Sequence, residues 1–489
     1  MQHRLIFSVP IILIGYMLLV RLFLIFSFDL DLDGAEFTFV HYIQQLLQAK
    51  NLYLNPETYP YSAVIYTPLY LYVVFFITKL FHLDYIKHIH EIYIIGRSVS
   101  FISILASIFV VDLLIKKQTI NRVVRVSAIF IFLNLISGHA FVMRPDGMKI
   151  LFFLAFFYHY LNYFFYDKKI KNLLLIFTFL VLAFMTKQDV IVYIFLIQLV
   201  HLVLVRNARI FFVFISSISL ICISIYFIKI VFGEYIFVNL FQFNLQTISN
   251  VNGSYNLLVV LFNAARILPI YAFVFYCYFQ VPKANKQIRI TCLIALISCL
   301  IATFFLFRPG SYINYTYESL ILLMFAFFLV IKKYIQQFSI YIVIYFTLFF
   351  FSNLIIKNYA FFPFKEIKCA NEYSNYYSLR KQILPLLDSQ TTLFMPNLKL
   401  SIFLADKQII YGQEYHLDRL IYSNLGLKSS SKLKFNSSSN YDNKFENGTV
   451  QYILAFDKKS EIETIKIWYP KYVFEQKINQ FLLYKFRNL

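Results

Sequence analysis

Long apolar runs separated by short polar turns set the pattern of this chain, covering 5–27, 66–82, 90–115, 126–143, 147–165, 173–187, 190–205, 210–232, 257–280, 288–307, 318–331 and 338–356. A helix crosses about 30 Å of hydrocarbon in about 20 apolar residues, so the pattern predicts a polytopic all-α membrane protein. Beyond 356 the texture changes. Apolar runs shrink to strand length at Thr391–Met395, Gln408–Tyr411, Gln451–Phe456 and Phe481–Tyr484, which predicts a small α/β unit over 357–489 following a transmembrane unit over 1–356. Between two of those strands, Lys428–Gly448 is rich in Ser, Asn and Lys and reads as a mobile loop.

Charge sets the orientation. Lys and Arg gather at Lys116, Lys117, Arg122 and Arg125; at Lys168, Lys169 and Lys171; at Arg206 and Arg209; at Lys283, Lys286 and Arg289; and at Lys332 and Lys333. Such loops face the cytoplasm, so an even number of spans must separate them. Three runs precede the first cluster, so one of them does not cross. The run 66–82 is short, opens at Pro68 and carries Lys79, so it is assigned to a juxtamembrane or re-entrant helix on the outer side. About eleven spans remain by the length criterion, with the N-terminus inside. The first loop, 28–89, and the C-terminal unit both lie outside.

Composition narrows the class. Hydrophobic residues make up 60% of the 489 and charged residues only 14%, and the net charge of +20 resides in turns between spans, so nucleic acid is not an expected partner. Four of the five cysteines lie in apolar runs and the fifth is Cys369, which leaves neither a disulfide framework nor a zinc set. The first run follows Arg4, lacks a small-residue cleavage site and is long enough to be retained as a span.

Against this background the segment Asp29-Leu-Asp31-Leu-Asp33-Gly-Ala-Glu36 stands out, because carboxylates at a membrane surface cost free energy and mark sites. Asp33 and Glu36 share one face of a helix expected over 35–49, and Asp31 has even claims as a helix cap and as a catalytic group. Three more polar groups sit at outer ends of runs: Arg144-Pro145-Asp146, Thr186-Lys187-Gln188-Asp189, and Arg308-Pro-Gly310-Ser311-Tyr-Ile-Asn314-Tyr315-Thr-Tyr-Glu318. Each alone reads equally as an ion pair, a turn or a cap; together they place cations and carboxylates from distant chain positions on one side.

Taken with the outer Leu52-Tyr53 and Tyr66-Thr67-Pro68-Leu69, these motifs resemble GT-C glycosyltransferases across residues 1–356. More narrowly they are similar to the bacterial family 39-like group, which is related to protein O-mannosyltransferases and the lipid A aminoarabinose transferase. Thr67 departs from the pattern, since these families often carry a second proline there. The resemblance implies transfer of a sugar from a polyprenyl-phosphate donor to an acceptor hydroxyl of a lipid, glycan or protein on the extracytoplasmic side; the heavy Phe, Ile, Tyr and Lys usage points to an AT-rich genome and a bacterial cytoplasmic membrane. It makes Asp33 the first candidate for the base, followed by Glu36 and Asp31. It gives donor or acceptor binding to Asp146, Arg144, Lys187, Arg308, Tyr66, Asn314, Tyr315 and Glu318, the cations neutralising the departing phosphate. A divalent cation between Asp33 and Asp146 is compatible with oxygen ligands, and no metal is assigned. Two rivals stand beside this reading. A transporter or flippase would place charges and helix breaks near mid-bilayer, in repeated halves, and a scaffold presenting the tail would not need the acidic loop.

Overall fold

The computed structural model describes residues 2–32, 35–55, 64–117, 122–136, 138–242, 268, 270–281, 285–306, 313–334, 363–387, 391–395, 398–406, 408–410, 445 and 447–487. Asp33, Arg308, Gly310 and Ser311, the run 338–356, the boundary at 356 and most of 428–448 lie outside them.

The bundle opens with α1 (Gln2–Ile25), followed by α2 (Glu36–Leu47), α3 (Leu69–Leu80), α4 (Ile89–Lys116), α5 (Arg122–Leu135) and α6 (Asp146–Leu161). It continues with α7 (Ile170–Thr186), α8 (Val190–Val205), α9 (Ala208–Phe232), α10 (Lys286–Leu306) and α11 (Tyr317–Tyr334). Four stretches are long and apolar enough to cross a membrane by length and composition: Ile89–Lys116, Asp146–Tyr166, Ala208–Phe232 and Lys286–Leu306. Several others, among them Pro10–Ile25, Ile170–Thr186 and Val190–Val205, are shorter apolar helices. The run 66–82 forms a helix of only 12 residues, α3. At 1.5 Å per residue it reaches about 18 Å, well short of a bilayer.

Two glycines seat the helices around the site. A Cβ on Gly147 would lie 2.6 Å from the Ala140 carbonyl and 3.0 Å from that of Ser100, so only glycine lets the start of α6 press against α4. A Cβ on Gly96 would meet Met143 Cγ at 2.3 Å. The Met143–Asp146 segment is thereby laid directly on α4, where Ser100 Oγ donates to the Arg144 carbonyl at 3.0 Å.

The bundle has two distinct ends. At one, Lys117 binds Asn162 and lies over the rings of Tyr158 and Tyr166, and Gln287 Nε2 donates to the Tyr166 hydroxyl. This end collects several of the basic turns. The other end carries α2, α3 and the C-terminal unit.

That unit opens with α12 (Pro363–Ile383) and contains a five-stranded sheet with α13 (Lys459–Trp468). The strands are β1 (Thr392–Phe394), β2 (Gln408–Ile410), β3 (Tyr452–Phe456), β4 (Tyr472–Ile478) and β5 (Phe481–Phe486), in the order β2-β1-β3-β5-β4. β1 runs parallel to β2 and β3, while β5 runs antiparallel to β3 and β4. A core of Phe394, Phe445, Val450, Ile453, Tyr469 and Leu482 covers one side of the sheet. Tyr376, Leu379, Ile383, Ile402, Phe403 and Leu404 belong instead to the core of the helical bundle. The polar contacts agree with this. Gln44 Nε2 of α2 donates to the carbonyls of Ile402 at 2.7 Å and Tyr85 at 2.8 Å, Gln48 Nε2 to that of Ala405 at 3.0 Å, and the Tyr377 hydroxyl to that of Ile86 at 2.5 Å.

Candidate functional site

The acidic loop is clamped from below by Arg97, which is fully buried one-third of the way along α4. Its Nε donates to Glu36 Oε1 at 3.0 Å and its Nη2 to Glu36 Oε2 at 2.6 Å. The remaining donors reach the carbonyls of Ser27 at 2.7 Å, Asp29 at 2.5 Å and Leu24 at 3.4 Å. Such a fork spends the whole guanidinium on the end of α1, the acidic loop and the start of α2. Glu36 is equally spent, because it also accepts from the backbone N–H of Met143 at 2.7 Å and of Leu32 at 3.0 Å. Asp31 caps α2, its Oδ1 accepting from the Glu36 N–H at 3.2 Å, and its Oδ2 lies 3.5 Å from Lys399 of the C-terminal unit. Both flanks of Asp33 are thus fixed to helices.

A second group of charges forms where helix ends meet. Asp146 opens α6 behind Pro145, Asp189 precedes α8 and Glu318 stands in the first turn of α11, each carboxylate at the positive end of a helix dipole. Lys187 follows the C-terminus of α7, where a cation is favoured. Asp146 is completely buried. Its Oδ1 lies 2.8 Å from Lys187 Nζ and 3.8 Å from Lys149 Nζ, its Oδ2 lies 3.3 Å from Arg144 Nε, and the Asn314 amide donates to both oxygens at 3.3 and 3.4 Å. Lys149, one turn into α6, reaches Glu318 Oε1 at 2.7 Å and Asp189 Oδ2 at 3.3 Å. Lys187 also approaches Asp189 at 3.6 Å.

Three cations therefore face three carboxylates, with hardly any water to screen them. Glu318 Oε2, Asp189 Oδ1 and Asn314 Oδ1 are buried and accept no hydrogen bond among the described residues. They are acceptors available to hydroxyl donors. Tyr66 and Tyr315 line the cations, with Lys187 Nζ 5.7 and 4.6 Å from their ring centres, and Arg144 Nη2 donates to the Tyr66 hydroxyl at 3.4 Å. Burial works against the charge on Lys187, but Asp146 and Asp189 outweigh it and hold its pKa well above the ordinary lysine value. Burial likewise raises the Tyr66 phenol, against the pull of Arg144 and Lys187. The Tyr66 loop is pinned to the Lys187 turn, since Thr67 Oγ1 donates to the Phe184 carbonyl and Gln188 Nε2 to that of Ile65, both at 2.8 Å.

Asp146, Arg144, Lys187, Tyr66, Asn314, Tyr315 and Glu318 are therefore gathered in one place, while Asp31 and Glu36 belong to the neighbouring clamp. The Glu36–Met143 hydrogen bond joins the two groups, since Arg144 follows Met143 directly. Arg97 and Lys149 were missing from the sequence-derived set. Each is a lone cation inside an apolar run, and that signal alone marks a group with a buried counter-charge. No set of three or more His, Cys, Asp or Glu residues that could hold a metal occurs among the described residues. Asp146, ringed by cations, does not fit a divalent ion there.

An apolar helical bundle that buries a charged site at the end carrying a mixed α/β unit has the architecture of a polytopic membrane protein, and comparison with solved structures shows a GT-C-like fold. The chain is similar to ArnT from Cupriavidus metallidurans bound to undecaprenyl phosphate, at 10% identity and a TM-score of 0.62, with 97% of each chain covered. The apo structure of that protein matches at 11% and 0.62, again over 97% of each chain. The archaeal oligosaccharyltransferase AglB from Archaeoglobus fulgidus, in complex with an inhibitory peptide and a dolichol-phosphate, matches at 11% and 0.51, over 98% of this chain and 74% of that one. No family model and no curated protein matches the chain.

Proposed function

We propose that this protein is an integral-membrane glycosyltransferase that moves a sugar from a polyprenyl-phosphate donor to an acceptor hydroxyl on the extracytoplasmic side. The observation that carries the reading is the buried Arg144–Asp146–Lys149–Lys187 constellation, with its orphan acceptors, beside a clamped acidic loop. Support also comes from the fold shared with ArnT, whose structure contains undecaprenyl phosphate. The basic turns at the far end of the bundle favour a cytoplasmic location for that end, which puts the site and the C-terminal unit outside.

In the reaction the acceptor oxygen attacks the anomeric carbon, its proton passes to a carboxylate, and the bond from that carbon to the phosphate oxygen breaks. Asp33 is the base in this scheme, held by flanks that Asp31, Glu36 and Arg97 anchor, so Glu36 and Asp31 act by position. Arg144 and Lys187, together with Arg308, neutralise charge on the departing lipid phosphate. Asn314, Glu318 and Asp189 offer acceptors to sugar or acceptor hydroxyls, and Tyr66 and Tyr315 flank them. A lipid-linked donor leaves its tail in the bilayer, which suits a site at a bundle end.

The test is transfer of radiolabelled sugar from a panel of polyprenyl-phosphate sugars into membrane extracts by purified protein. Asp33→Asn is expected to lower turnover by about 10²–10⁴-fold with donor binding retained, and Lys187→Met by about a hundredfold or more. Full activity in Asp33→Asn would move the base to another loop carboxylate. Vesicle uptake of the lipid-linked sugar without any turnover would replace the enzyme by a transporter.

A further inference from the structure

Arg21 lies in α1, four residues before its end at Ile25, or about 6 Å along the axis. It is 6% exposed, yet among the described residues it makes no hydrogen bond or ion pair; its guanidinium carbon sits 5.3 Å over the ring of Phe141. Every other buried arginine or lysine of the described site has a carboxylate partner: Arg97 has Glu36, Arg144 and Lys187 have Asp146, and Lys149 has Glu318. A guanidinium out of water without an acceptor is costly, and in a membrane segment such a group marks contact with something beyond the chain.

Two observations say what that is. Phe141 belongs to the short turn three residues before Arg144, and Tyr317, an ionisable neighbour of Arg21, is followed directly by Glu318, so Arg21 borders the candidate site. Within that site three cations already balance three carboxylates; the donor enters as a phosphodiester with a single negative charge, and loss of the sugar leaves a monoester of about −1.5 to −2 on the carrier. The phosphate left on the carrier needs positive charge beyond Arg144, Lys149 and Lys187. Next to Arg21, Leu19, Leu22 and Phe23 of α1 and Phe26 just past its end are exposed apolar side chains, a path for a hydrocarbon tail.

The geometry points to Arg21 as the group that takes the phosphate of the polyprenyl carrier, whose tail lies along the exposed side of α1. This rests on the proposed reaction for the identity of the lipid, but not for the existence of the anion site. The guanidinium provides a fixed charge and up to two parallel N–H donors to the phosphate oxygens. Nothing is transferred at Arg21; it holds the carrier phosphate beside the Arg144–Lys187 pair.

The test measures thermal melting and binding in detergent for wild type, Arg21→Met and Arg21→Lys with undecaprenyl phosphate, uncharged undecaprenol, phosphatidylglycerol or inorganic phosphate. Arg21→Met is expected to melt at or above wild type without lipid, because an unpaired buried charge has gone, and to bind undecaprenyl phosphate at least about tenfold more weakly. Arg21→Lys, which keeps the charge but not the fork, should bind between wild type and Arg21→Met, and undecaprenol should not distinguish the variants. Unchanged affinity of Arg21→Met for undecaprenyl phosphate overturns the proposal. So does an Arg21-dependent affinity as strong for phosphatidylglycerol or inorganic phosphate, since the site would then select no carrier. Binding is read without turnover, so Arg21-dependent affinity in a protein that transfers no sugar sinks the reaction and leaves the carrier site standing.

Discussion

Lys149 shows how a single residue decides whether the buried site is a charge balance or a liability. It is the shared cation of Glu318 and Asp189 and has no exposed surface. Lys149→Met should therefore cost about 3–5 kcal/mol, the usual penalty for leaving a buried charge unpaired. Pairing it with Glu318→Gln should recover part of the loss, and denaturant or thermal unfolding of the two variants in detergent checks this. At this scale the sequence was informative about type and silent about pairing. Arg144-Pro145-Asp146 reads as two opposite charges side by side, and they do meet at 3.3 Å, but the 2.8 Å contact between Asp146 and Lys187 joins positions 41 apart.

The element that links the two halves of the site is α2. Its N-terminus carries Glu36, its middle carries His41 and Gln44, and its end carries Gln48, so one helix touches the Arg97 clamp and the C-terminal unit. His41 is buried there, and burial, reinforced by Lys50, pushes its pKa from the ordinary imidazole range to about 3. The sign follows from where protons bind. Between pH about 6.5 and 3 the unfolded chain takes up a proton that folded His41 refuses, so its contribution is complete above about 6.5 and is lost as pH falls. At pH 5 the loss is about 2 kcal/mol. Melting measured at pH 7.5 and pH 5 should therefore show a smaller drop for His41→Gln than for wild type. The helix itself was legible, since the expected span 35–49 contains Glu36–Leu47. Its second set of partners was not, because Gln44 and Ile402 are 358 residues apart.

For the molecule as a whole, the C-terminal unit is joined to the bundle by packing as well as by chain. Tyr376, Leu379 and Phe403 share the bundle's core, Lys399 approaches Asp31, and the ring of Phe28 stacks on His90 at 4.1 Å beside Tyr373. A fragment 363–489 made alone should expose this apolar face and associate or aggregate, although the sheet keeps its own core of Phe394, Ile453 and Tyr469. Size-exclusion chromatography of the fragment checks the first point. A monodisperse, cooperatively melting fragment would show that the shared core is dispensable. Strand-length runs at 391–395, 408–411, 451–456 and 481–484 announced four of the five strands, β1, β2, β3 and β5. β4, Tyr472–Ile478, offers no apolar run of strand length, because its alternation is broken by Glu475, Gln476 and Lys477.

What the sequence determined alone are properties that depend on local composition and period. Apolar runs made the chain a helical membrane protein, basic turns distinguished one end from the other, and short alternating runs made the tail a sheet. It also determined which residue types stand at helix ends, because dipole and capping act within a turn. Only the tertiary structure decided which charges meet. Glu36 finds Arg97 and Met143 where glycines at 96 and 147 let the 143–147 segment close on α4, while Lys149 finds Glu318 and Asp146 finds Lys187 where the ends of α6, α7 and α11 meet. Pairing of buried charges is a long-range outcome of packing in a low dielectric, where a neighbour a few ångströms away matters more than a neighbour in sequence.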